Sequence, residues 1–265
     1  MAITTLDQYI AAASQRVQIR KTGSVTAVAL MNTQVLQAAG NPGAGTLAGT
    51  NTANGLVPTD ADAGFPVINA FGGSATGYIG NITFGSTVAS RITLFDCLFK
   101  AGAYAFNANT TLASQPSYSG RVIGGTDFTN TEIWIEAVTA FTGNQSIAVT
   151  YTNQSGTAAR TTGTIATGVA PIVGRMLQLP LQAGDTGVQK IESVVSTVST
   201  AGTFNVLVLR RLWSGRVYVA NAGDTHDFLK TGMPQIFDNS ALMAIVQPDS
   251  TATGIFELVA EVING

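Results

Sequence analysis

The single histidine of the chain, His226, lies in "NAGDTHDFL", with Asp224 two residues before it and Asp227 one after. Such a trio suggests a metal ligand set, or a base held by a carboxylate beside a nucleophile. The sequence completes neither. A histidine base needs a serine in a structured elbow, and no G-x-S-x-G occurs. One histidine and one cysteine exclude the usual zinc ligand sets. His226 therefore reads as a solvated or hydrogen-bonded loop residue. The lone Cys97 sits in the apolar run "ITLFDCLF", where it reads as a buried, inert thiol with no disulfide partner.

Carboxylates number 15, enough for a glycosidase pair. Glu132 and Glu136 share one face of a strand but stand roughly 13 Å apart at ~3.3 Å per residue, too far to cooperate without curvature. Asp185, between Gly184 and Gly187, is what a turn wants. "PTDADAG" offers Asp60 and Asp62 at alternate positions, as a calcium loop does, but lacks the glycine and terminal glutamate that such a loop needs. "AFGGSATGYIG" is glycine-rich without the Lys-Ser/Thr of a phosphate cradle. No catalytic, cofactor-binding or metal residue is assigned. Sugar stacking would use Trp134, Trp213, Tyr118 and Tyr218; of these, Trp134 reads as core and Trp213 as the better exposed.

Composition narrows the partners. Charged residues make up 11% of the chain, against about a quarter in an ordinary globular protein. Thr, Ser, Asn, Gln and Gly fill the polar positions, giving a surface that does not titrate and tolerates varied salt. A net charge of -2 with scattered basic residues argues against nucleic acid. The two loose groups, Arg16 with Arg20 and Lys21, and Arg210 with Arg211 and Arg216, read as solvated faces. No apolar stretch reaches membrane-spanning length, and "MAITTLDQYIAAASQRV" lacks the pattern of a signal peptide. The Asn-x-Ser/Thr matches at Asn81, Asn109, Asn144 and Asn153 then read as turn chemistry.

The elements that would carry these residues are mostly short strands. Thr5 and Gln8 form a capping-box pattern ahead of Leu6, Tyr9, Ile10, Ala13 and Val17, which predicts a short N-terminal helix ending before Gly23. "SVTAVALMNTQVLQ" leans to strand at its start. Residues 38–64 are poor in large side chains and read as a long extended arm that orders on a neighbour. "YIGNITF", "RITLFDCLF", "TEIWIEAVT", "SIAVTYTN", "QKIESVVSTVS", "TFNVLVLRR", "RVYVA", "ALMAIVQ" and "GIFELVAEV" read as strands. Asn153-Gln154-Ser155-Gly156 predicts a hairpin turn, and Thr200-Ala201-Gly202 another. The fold expected is mainly β: a β-sandwich or jelly-roll-like domain over residues 65–265, with the N-terminal helix and extended arm over residues 1–64.

The run from "AGAYAFNANTTLASQPSYSGRV" to "AVTYTNQSGTAARTT", then "MLQLPLQAGDTGVQKIESV", with the "GNPGAGTLAGTNTANGLVPTDADAGFP" arm, resembles virion structural proteins of tailed bacteriophages. These segments cover most of the chain. The resemblance implies a non-enzymatic capsid cement or decoration protein, assembled in the host bacterial cytoplasm and bound to the capsid exterior. Its implied partner is the major capsid protein, and its implied state a dimer or trimer on an icosahedral lattice. A neck, tail or baseplate component, or a carbohydrate-binding receptor-recognition module, is the alternative. No site residue is implied.

Overall fold

The computed structural model describes residues 3–46, 51–73, 76–106, 109–144, 146–166, 172–196 and 201–265. In chain order the longer elements are α1 (Leu6–Ala11), β1 (Ala13–Lys21), β2 (Asn51–Leu56), β3 (Gly77–Ser86), β4 (Ser90–Ala105), β5 (Thr131–Thr139), β6 (Ser146–Asn153) and β7 (Met176–Leu179). They continue with β8 (Val188–Ser196), β9 (Thr203–Val217), β10 (Ala222–His226), α2 (Phe228–Thr231), β11 (Leu242–Pro248) and β12 (Phe256–Asn264). All the ladders between these strands are antiparallel. The protein is mainly β, as the strand pattern predicts.

The central sheet runs β7-β5-β9-β4-β11 and ends on the two-residue strand Thr33–Gln34. That last strand does not leave an open edge. Thr33 also bridges Arg175, Gln34 N–H donates to the Gly174 carbonyl (2.9 Å), and Met176 N–H donates to Asn32 (2.9 Å). The sheet therefore closes on β7 as a small six-stranded barrel. Its interior holds Phe95, Cys97, Trp134, Met176, Leu207, Leu209, Met243 and Ile245.

Two further sheets pack on the outside of this barrel. One runs β10-β3-β12-β1 with Gly40–Asn41 at its end, and meets Ile92, Leu94, Leu212 and Trp213 over a core including Val17, Ile19, Ile82 and Phe84. The other is built on β6 and β8, flanked by Arg160–Thr161 and Thr110–Thr111. It covers Phe99, Ile133, Ile135 and Val206 with Ile147, Val149, Tyr151 and Ile191. Each large side chain so buried contributes about 1.5–3 kcal/mol. "RITLFDCLF" reads as continuously apolar because β4 is covered on both faces. A bulge at Leu98, where Val208 pairs with Phe99 and Leu209 with Cys97, aims Cys97 inward and Phe99 outward.

Three expectations change. The capping box of Thr5 and Gln8 forms, but the helix stops at Ala11, and Ala13–Lys21 is a strand. Its partner is the C-terminal β12, in register from Ala13 opposite Asn264 to Arg20 opposite Glu257. That long-range ladder outweighs a local 3.6-residue rhythm. Residues 24–32 form loop and turn, with strand beginning only at Thr33. The arm is packed where it is described: β2 pairs with β4, the Tyr104 hydroxyl donates to the Thr52 carbonyl (2.9 Å) and Val57 packs on an outer core, while Leu36 and Phe65, which flank the arm, enter the barrel core. Residues 47–50 of the arm, and Thr200 of the second predicted turn, lie outside the described residues. The first predicted turn is present, with Gly156 at φ +80° and its N–H on the Asn153 carbonyl (3.0 Å).

Candidate functional site

Most residues with the chemistry to act are held as structure. Trp213 Nε1–H donates to His226 Nδ1 (3.0 Å), and the other imidazole nitrogen lies 3.5 Å from Asp224. Asp227 instead caps α2 through the Lys230 N–H (3.0 Å). Burial pushes the Cys97 thiol up to about 12, far from a nucleophile's range. Asp60 and Asp62 spend an oxygen on the N–H groups of Ile68 (2.9 Å) and Thr59 (2.7 Å). No group of three or more metal-ligating side chains occurs among the described residues.

Asp185 does more than make a turn. Arg160 Nε (2.9 Å), Tyr151 Oη (2.7 Å) and Asn153 Nδ2 (2.8 Å) all donate to it. The Arg160 hydrogen bond, with the other two donors, holds its carboxyl down to about 2. The same constellation, together with burial, pushes Tyr151 up to about 12. These four groups pin the return of the β6 hairpin. Asn153 also accepts from the Ser155 and Thr157 N–H groups, the turn role expected of its Asn-Gln-Ser motif.

The basic groups are not both solvated. Lys21 is buried, and its ammonium donates to the carbonyls of Pro42 (3.0 Å), Gly43 (3.3 Å) and Leu36 (3.4 Å). Burial lowers it to about 8. Arg210 is buried too, 3.3 Å from Asp96 and over the Phe237 ring. Asp96 also takes Arg121, the Ser240 hydroxyl (2.9 Å) and the Ala241 N–H (3.0 Å). This cluster lies on the outside of the barrel where the two outer cores divide, between Leu94 and Phe99 along β4. Neither Asp96 nor Arg121 has a local sequence signature, so only the fold reveals it.

The sugar-stacking platform dissolves. Trp134 is core as expected, but Trp213, at 4% exposure, and Tyr118, at 2%, are buried as well. Tyr218, at 79%, is exposed without them, with Arg216 over its ring. Glu132 and Glu136 do face the same way, into the barrel, but serve opposite ends. Glu136 is buried with Lys100 (3.2 Å) and Asn205 Nδ2 (2.7 Å). Glu132 stands at the other end, accepting from Trp134 Nε1 (2.8 Å) and Arg211 Nε (3.0 Å).

That second end is an open mouth. Arg91, Thr93, Trp134, Gln178, Arg211 and Gln247, side chains from five strands, surround a cavity of about 190 Å³ floored by Phe95 and Ile245. Arg211 stacks over Phe95 (5.4 Å), and Phe95 meets Trp134 edge-on (5.7 Å, 70°). The Arg91 guanidinium is exposed and has no hydrogen bond or ion pair among the described residues. Sequence reasoning passed over Arg91 because its neighbours across the mouth come from distant strands. The alternation of Arg91, Thr93 and Phe95 on one face of "RITLF" was the available signal.

No known protein family matches the sequence, and no curated protein matches it. Among solved structures, it aligns with the infectious bursal disease virus Gx strain at 10% identity, over 96% of this chain and 80% of that one, with a TM-score of 0.16. The infectious bursal virus derived T=1 particles align at 9% identity over 96% and 77% (TM-score 0.19). The VP2 subviral particle of infectious bursal disease virus aligns at 11% over 96% and 79% (TM-score 0.17). Scores this low describe no common fold.

Proposed function

We propose that this chain is a non-enzymatic structural protein of a tailed-bacteriophage virion: a cement protein that binds the major capsid protein on the capsid exterior. The reading rests on the sequence resemblance and on one structural observation. At the α1–α2 corner, where Tyr9 stacks on Phe228 (5.1 Å), Leu6, Ile10 and Leu229 stand 59%, 72% and 78% exposed. α1 is a capped helix whose contact with the rest of the domain is made by Tyr9, and that contact leaves Leu6 and Ile10 uncovered. A capsid subunit is the partner proposed for them. The weakly charged surface supports the same reading, since such contacts survive changes of salt and pH.

The extended arm has a different place in this reading. Its strand β2 pairs with β4 and Val57 packs on the core beside it, so deleting residues 38–64 removes folding contacts along with any capsid contact. The cleaner test is Ile10→Lys, at a side chain already in solvent. The variant should keep the wild-type melting temperature and fail to pellet with empty capsids that lack the protein. Undiminished pelleting would remove the α1–α2 corner from the interface.

A further inference from the structure

We propose that the mouth of the central barrel is a binding site for a small carboxylate with an apolar, ring-sized body. Nothing in the cement reading requires it, and it stands independently. Its basis is the composition of two successive layers of inward-facing side chains.

The rim layer is polar and cationic. Arg91 and Arg211 carry two positive charges against the one of Glu132, so the mouth has a net charge of +1 among these groups. Arg211 is fixed by Glu132 and by its stack on Phe95, leaving it placed before any ligand arrives. Among the described residues the Arg91 fork has no partner, and that planar fork matches the two oxygens of a carboxylate. Gln247 is oriented by its own donation to the Leu30 carbonyl (2.9 Å), and Thr93 by the Ser214 hydroxyl (3.1 Å). The next layer is apolar: Phe95, Trp134 and Ile245 form the floor. Trp134 Nε1–H is held by Glu132, so its buried ring closes the floor without offering a donor.

A site of this kind takes a charge at its entrance and an uncharged body below. Its volume of about 190 Å³ suits a one-ring acid. The mouth of a small barrel is also a recurrent place for such sites.

The test is isothermal titration calorimetry on the full-length protein, with sodium benzoate as probe, benzamide as its neutral counterpart and sodium acetate as the charge without the ring. Benzoate should give saturable heat at about millimolar concentration or tighter, with no saturable heat from benzamide. Arg91→Gln, exposed and outside the core, should weaken benzoate about tenfold or more while leaving the melting temperature unchanged. Acetate should bind markedly more weakly than benzoate. Absence of benzoate heat, equal affinity in Arg91→Gln, or equal binding of acetate or benzamide would each overturn the proposal.

Discussion

Lys21 is the residue whose environment departs furthest from its appearance in the sequence. Next to Arg20 in a run of polar residues it looks solvated; in the fold it is held by three carbonyls, with no carboxylate among its hydrogen-bond partners. Its folded-state value of about 8 lies below the ordinary 10.5. Below about pH 8 both states hold the proton and the folded state bears the buried charge. Between about 8 and 9 only the unfolded state still holds it, so stability rises with pH. From about 9 the unfolded chain loses the Cys97 proton that the buried thiol keeps, which cancels the rise, and above 10 the buried tyrosines Tyr104, Tyr118 and Tyr151, all raised by burial, turn it into a fall. Urea melts across this range should show the rise in wild type and its loss in Lys21→Met; the same slope in both would remove Lys21 as its origin. Asp185 works in the other direction. Its carboxyl is depressed to about 2 from 3.8, so its contribution is intact above about pH 4 and disappears as pH falls toward 2. Asp185→Asn should therefore be less stable than wild type at pH 6 and approach it at pH 2 in thermal melts. A constant difference across that range would contradict the assignment. Sequence placed Asp185 in a turn correctly, but its three donors come from β6 and the returning strand, which local spacing does not bring together.

At the scale of elements, strands with strict alternation were legible: "TEIWIEAVT" is β5 residue for residue, and Ile147, Val149 and Tyr151 share the buried face of β6. The helix–strand boundary at Ala12 was not, because α1 and β1 differ only in where their partners lie. Val17 and Ile19 repeat every second residue, yet the 3.6-residue rhythm from Leu6 runs through the same positions. Closure of the barrel was equally hidden, since it depends on two residues, Thr33 and Gln34, bridging β11 and the start of β7. The cluster of Asp96 with Arg121 and Arg210 belongs to this scale, as it joins β4, β9 and the Ser119–Arg121 turn at the division between the outer cores. Asp96→Asn leaves two arginines buried without their counter-charge and should cost about 3–5 kcal/mol. Denaturant unfolding would check it; a loss under about 1 kcal/mol would mean that the arginines find other acceptors.

At the scale of the molecule, a closed barrel flanked by two sheets leaves few features unexplained by folding itself. Among the described residues, the apolar α1–α2 corner and the cationic barrel mouth stand out. Neither was visible as a site in the sequence. Leu6 and Ile10 read as part of the apolar rhythm of a helix, and Arg91 was not singled out at all. What the sequence did carry was the mainly β class and a weakly charged, non-titrating surface. Both are consistent with a protein that binds by area rather than by chemistry, and the corner supplies an apolar centre for such an interface.

Copy number on the particle tests this account most directly. Purified protein would be mixed with empty capsids that lack it, sedimented, and quantified as copies per particle. The cement reading predicts saturation at hundreds of copies, the order set by an icosahedral lattice. Saturation at about a dozen or fewer, or no binding, would contradict it and place the protein at a ring of the neck or tail, or off the virion.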